Sequence, residues 1–203
     1  MKGFLRRDFA LVSGNLRFYL FFIAIFGALA LFTDMNSGFV MFYAVIFAMS
    51  SIIGLFSYDE FNHWTAYAAA VPGGRKNMVK ARYTLLLLVT VGVAAVQMLV
   101  GALAKEMGNF QAAALYSGML LIYAALSMPL SYYIGGTKAR EVTVVMVTFI
   151  AGAAAIMGTI LNISTGFGDY SLPSGFLLLP AVGAGALLIS YRVSLHIMAK
   201  KEL

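Results

Sequence analysis

The sequence has no cysteine, one tryptophan, two histidines and four prolines among its 203 residues, and only 11% of them are charged. Without cysteine there is no disulfide framework, no Cys-ligated metal and no thiol nucleophile. The histidines, His63 and His196, form no His-x-x-Glu-His arrangement, which argues against a metal centre. The scarcity of charge excludes more. A soluble domain is about 25% charged and about 45–50% apolar; this chain is 62% hydrophobic, with a mean hydropathy of +0.89. Fourteen Lys+Arg and eight Asp+Glu cannot cover a soluble core of this size, so the chain reads as an integral membrane protein.

Six apolar segments have lengths suited to a hydrocarbon core that takes about 17–25 helical residues: 16–32, 39–56, 83–104, 112–134, 142–163 and 176–195. They lack the apolar–polar alternation of barrel strands. The expected fold is therefore all-α, a polytopic bundle of six transmembrane helices forming a single transmembrane domain over 1–203. Lysine and arginine fix its orientation. One side takes Lys2, Arg6, Arg7, Arg17, Arg75, Lys76, Lys80, Arg82, Lys138, Arg140, Arg192, Lys200 and Lys201; the other takes only Lys105, beside Asp34, Glu106 and Asp169. Both termini are expected in the cytoplasm. The formal charge of +6 is thus a topology signal, and with no basic soluble module the chain gives no reason to expect nucleic acid as a partner. The lipid bilayer is its surroundings.

Residues 1–15 place Leu5, Phe9, Val12 and Leu16 on one helical stripe with Arg6, Arg7 and Ser13 off it. That pattern predicts an amphipathic helix in the cytoplasmic interface before the chain turns into the membrane; the plainer alternative is a basic flank that enforces orientation. No small-residue cleavage pattern follows, so the first apolar run reads as a span and not as a signal peptide.

The six spans carry no Asp, Glu, His, Lys or Arg away from their ends, which argues against a proton relay, an ion site or an intramembrane protease. Gly135-Gly136-Thr137-Lys138 lacks the spacing of a phosphate loop and reads as a cytoplasmic turn. Gln97, the one long polar side chain near mid-span, is open to two readings: an interhelical hydrogen bond or a place on a translocation path. Asn162, near the outer end of a span, reads as an interhelical bond. The runs Gly152–Ala155 and Gly183–Ala186 predict close helix packing, and Pro129 and Pro180 predict kinks.

The longest connection, 57–82, is expected in the cytoplasm and is not featureless. Phe61, Trp64, Ala68 and Val71 recur at helical spacing, and Asp59 and Glu60 precede them where a helix N-terminus favours acids. Pro72-Gly73-Gly74 breaks this helix and Arg75 to Arg82 restarts it. The spacing predicts a short amphipathic helix over 59–71, either an interfacial anchor or a docking surface, since Trp, Tyr and Arg dominate interface energetics.

The order of an acidic pair, Trp64, Tyr67-Ala68, Val71-Pro72, Arg75-Lys76 and Lys80-Ala81-Arg82-Tyr83 resembles the cytoplasmic segment of ABC-2 type permeases, the membrane subunits of ATP-binding-cassette exporters. Met1 to Phe9 is similar to that family's amphipathic start, and Ile189 to Leu195 with Lys200-Lys201-Glu202-Leu203 to its closing helix and basic tail. One departure is Gly74, where the family often has serine; as a cap glycine costs only a few tenths of a kcal/mol against serine. The resemblance, nearest to small permeases of Gram-positive bacteria that export phenol-soluble modulins, implies a half-transporter in the cytoplasmic membrane. It implies two permeases, identical or paralogous, with two separate ATPase subunits that bind the ATP and magnesium; this chain holds no cofactor and catalyses nothing itself. It also implies that Asp59, Glu60, Phe61, Trp64, Tyr67, Ala68, Val71, Pro72, Arg75 and Lys76 couple to the ATPase, Trp64 and Tyr67 as anchors and Glu60, Arg75 and Lys76 as polar contacts. The expected cargo is amphipathic, such as a cytolytic or antimicrobial peptide. The competing reading is a membrane immunity or assembly protein that sequesters a peptide or partner and needs no ATPase.

Overall fold

The computed structural model describes residues 2–32, 38–104, 109–139, 141–142, 144–145 and 178–200. Among them every long element is a helix: α1 (Lys2–Phe32), α2 (Gly38–Phe61), α3 (Trp64–Ala70), α4 (Gly74–Ala104), α5 (Asn109–Ile134) and α6 (Leu179–Lys200). Four stretches within them are long and apolar enough to cross a membrane, Ala44–Phe61, Gly74–Leu99, Ala113–Ile134 and Leu179–Lys200. The chain is a multi-pass membrane protein. The expected fifth span, 142–163, with Asn162 and Gly152–Ala155, lies almost wholly outside the described residues, as do Lys105, Glu106, Arg140, Asp169 and Lys201.

Three expectations about element ends are corrected. The interfacial helix over 1–15 is not a separate piece: α1 runs unbroken from Lys2 to Phe32, because the sequence offers no proline and no turn cluster near Leu16 to stop it. Asp59 and Glu60 do not open the short helix; they occupy the last turn of α2, which ends at Phe61, and α3 begins only at Trp64. The spacing of Phe61, Trp64, Ala68 and Val71 therefore spans a break at Asn62–His63, where His63 adopts the left-handed conformation (φ 51°, ψ 27°). Finally, Pro180 makes no kink. It is the second residue of α6, in the first turn, where a missing N–H goes unused. Pro129 is inside α5 as expected.

The core collects Val45, Ala48, Ile52 and Phe56 of α2, Met78, Val79, Tyr83 and Leu86 of α4, Leu120, Ala124, Met128 and Tyr132 of α5, and Leu187 and Met198 of α6. Small residues bring α5 and α6 together. A Cβ added at Gly118 would lie 2.6 Å from Leu179 Cβ, and one at Gly183 2.7 Å from Leu121 Cβ; the neighbouring Gly185 faces open space. A buried hydroxyl clasp joins α4 to α6, with Tyr83 Oη 2.6 Å from Ser190 Oγ and 2.8 Å from Ser194 Oγ.

The α3–α4 connection is a tight turn. Val71, which precedes proline, is extended (φ −85°, ψ 134°), the Gly74 amide donates to the Val71 carbonyl at 2.8 Å, and Gly73 has φ +68°. Pro at the second and Gly at the third position are what a type II turn requires. Gly74 is demanded by space and not by capping, since a Cβ there would fall on the Ala68 carbonyl oxygen. Gly74→Ser, a change to the residue the resemblance favours, should therefore displace α3 and destabilise the chain by about 1–3 kcal/mol, read as a lower unfolding midpoint in detergent.

Candidate docking face and the buried charge cluster beneath it

Two aromatic side chains stand outward at the α2–α3 corner: Phe61 is 85% exposed and Tyr67 is 60% exposed. Val71 is also exposed. Trp64 turns the other way. Its indole lies under the Arg7 guanidinium at 4.0 Å, meets Phe4 edge-on at 6.2 Å and stacks tilted on Tyr67 at 4.9 Å. Ala68 is fully buried beside it. The seven residues of α3 thus have an inner face of Trp64 and Ala68 and an outer face carrying Tyr67.

Beneath this helix lie two arginines and two aspartates from three helices. Arg7 pairs with Asp59 at 2.8 Å and with Asp8 at 3.3 Å, Arg82 with Asp8 at 3.8 Å, and Arg82 Nη2 donates to Asp59 Oδ2. Arg82 is only 1% exposed and its guanidinium lies 4.1 Å from the Phe56 ring, which packs edge-on against Tyr132 at 4.9 Å. Equal numbers of cations and anions let the group be buried, because an unpaired charge there would carry a desolvation cost of several kcal/mol. The pairing also offsets an acid at a helix C-terminus, where the dipole opposes it.

Burial pushes the Asp8 carboxyl above its ordinary value of 3.8, and the neighbouring Asp59 adds to this, against the lowering effects of Arg82 and Arg7. A carboxyl that binds its proton more tightly in the folded state contributes most below 3.8, and this contribution is lost as pH rises through the folded value. Asp8→Asn should therefore flatten the pH dependence of stability. The parent should lose ground to the variant as pH rises from about 3.8 toward neutrality, measured by unfolding at a series of pH values.

Glu60 holds the next turn. Its Oε2 accepts from the Thr137 amide at 2.7 Å and from Thr137 Oγ1 at 2.8 Å, at the start of a helical stretch over 136–139. A Cβ at Gly136 would collide with the Phe56 backbone, so this glycine serves close packing against α2, while Gly135 has the left-handed φ of +92° that favours glycine. Arg75 reaches across to α6, donating from Nη1 to the carbonyls of Met198 at 3.3 Å and Ala199 at 3.5 Å, where it satisfies orphan C-terminal carbonyls. Lys76 and Pro72 are exposed. A groove of about 430 Å³ runs between the α3–α4 turn and the end of α6.

The residues singled out in 59–76 are thus gathered at one corner but face different ways. Phe61, Tyr67, Val71, Pro72 and Lys76 are exposed; Asp59 and Ala68 are buried; Glu60, Trp64 and Arg75 make contacts within the chain. Gln97 is distant in sequence and fully buried. Sequence reading missed Arg7, Asp8 and Arg82 as site residues. Arg7 and Arg82 stand in the sequence as topology markers and within the motifs at 1–9 and 80–83, and nothing in the sequence pairs them with Asp8 and Asp59. No group of His, Asp and Glu able to hold a metal occurs among the described residues.

The family model described as "ABC-2 family transporter protein" matches residues 3–199. No curated protein and no solved structure matches the chain.

Proposed function

Since the chain belongs to the ABC-2 family of transporter proteins, we propose that it is the permease subunit of an exporter that moves an amphipathic or hydrophobic cargo, cytolytic peptides above all, out of a bacterial cell. Family membership brings with it an ABC ATPase as partner. In this reading the complex has two permeases and two ATPases, each permease crosses the membrane six times with both ends in the cytoplasm, and the ATPases bind the ATP and magnesium. The outer face of α3, with Tyr67 beside Phe61 and Val71, enters a cleft on the ATPase. Trp64 is an inner anchor; Glu60 and Arg75 make contacts within the chain, and Lys76 is exposed and meets the partner.

The observation that carries this reading is the contrast at the α2–α3 corner: exposed Phe61 at the end of α2 and exposed Tyr67 on α3, above a buried cluster of ion pairs. A docking element needs protruding anchors on a rigid base. The cargo class is supported by the lack of ionisable residues in the middle of the spans, since an apolar wall suits an amphipathic helix better than a charged relay does.

The test is to co-express the chain with candidate ABC ATPase subunits, purify the assembly in nanodiscs, and measure stoichiometry and ATP hydrolysis with and without amphipathic cytolytic peptides. A two-plus-two complex stimulated by such peptides is expected. A chain that never associates with the ATPase overturns the exporter reading, and a complex indifferent to the peptides overturns the cargo.

A further inference from the structure

Seven residues are too few for a helix to be stable by itself in water, and α3 has no side-chain cap at its start and a left-handed histidine before it. Its orientation must come from what it touches. Its backbone neighbours are α2 and α4, with Ala68 fully buried; the contact with α1 is made through Trp64, which lies against Phe4 and Arg7. Arg7 is bound at both ends: its guanidinium covers the indole at 4.0 Å and pairs with Asp59 of α2 at 2.8 Å and Asp8 at 3.3 Å. The planar guanidinium suits this double use, stacking on a ring with its face and donating in its plane.

We propose that Arg7 is the positioning residue of α3: it fixes the direction in which Tyr67 points and ties α3 to α1, so that a displacement of the docking face is passed to a helix that continues unbroken to Phe32. The transfer to α1 matters for export only if the reading above holds; the seating of α3 by Arg7 does not depend on it.

The chain is well suited to the test, because Trp64 is its only tryptophan and it has no cysteine. Arg7→Ala, Arg7→Lys and Phe4→Leu are compared in the full chain in nanodiscs, well below the unfolding temperature, by Trp64 emission, acrylamide quenching and amide exchange of α3. Spin labels on Ala10→Cys and Ala66→Cys, both exposed sites, report the α1–α3 distance. Arg7→Ala should shift Trp64 emission to the red, broaden the label distance and speed α3 exchange by roughly tenfold. Arg7→Lys should fall between it and the parent, and Phe4→Leu, which leaves every ion pair intact, should move Trp64 in the same direction by less. A role in bulk stability alone would lower the unfolding temperature and leave these signals at their parental values; that result overturns the proposal. No ATPase enters these measurements, so a chain that responds as expected yet binds no ATPase retains the seating and loses the exporter reading.

Discussion

Asp59→Asn should destabilise the folded chain by about 3–5 kcal/mol, the usual cost of stranding one partner of a buried ion pair. Asp59 and Arg82 are 2% and 1% exposed, so neither finds water when the other is removed. Asp8, at 3.8 Å from Arg82, compensates little because it also serves Arg7. The double variant Asp59→Leu with Arg82→Met should recover most of the loss, since packed apolar groups often replace a buried pair at no net cost, and Arg7 and Asp8 remain to pair with each other. Denaturant titration followed by Trp64 fluorescence measures the cycle of parent, Asp59→Leu, Arg82→Met and the double variant, with Asp59→Asn beside it. Single and double variants that simply add, or an Asp59→Asn chain within about 1 kcal/mol of the parent, would show that the cluster is not the anchor argued above.

The second large effect is expected in association. Phe61→Ala with Tyr67→Ala should weaken binding to the ATPase by about 30-fold or more, the scale of a lost interface hot spot, while stability stays within about 0.5 kcal/mol, as for other exposed sites. Trp64→Ala should behave differently. It removes the seat of α3 against Phe4 and Arg7 and should lower stability and binding together. Binding affinity in nanodiscs and unfolding midpoints, measured on the same preparations, separate the two patterns. Parental affinity in the Phe61/Tyr67 variant would remove these side chains from the docking face.

The long helices were legible because their signal is a continuous apolar run bounded by charge: α2, α4 and α5 contain the expected spans 39–56, 83–104 and 112–134, and α6 covers 179–195 of the last. Where ends moved, polar residues continued a helix instead of stopping it: α2 takes in Asp59 and Glu60, and α4 takes in the whole basic stretch from Arg75 to Arg82. The corner at 57–82 was legible as a short helix with a proline–glycine break. Its facing was not, because a left-handed histidine resets the helical phase between Phe61 and Trp64 and periodicity cannot register that. The charge cluster was illegible for another reason. Arg82 and Asp59 are 23 residues apart and Arg7 is on a different helix, so only tertiary packing turns these topology markers into a structural group.

The contact between Arg75 and the carbonyls of Met198 and Ala199 joins residues 123 and 124 apart in the sequence. During synthesis the α3–α4 turn leaves the ribosome long before its partner on α6 exists. Until that last helix has inserted, and Tyr83 has met Ser190 and Ser194, the turn lacks one of its two moorings. A nascent or truncated chain that lacks α6 would thus carry a loose corner, without the Arg75 bonds to Met198 and Ala199. The bond that shapes the corner is therefore among the last to form, because one of its partners is made at the far end of the chain.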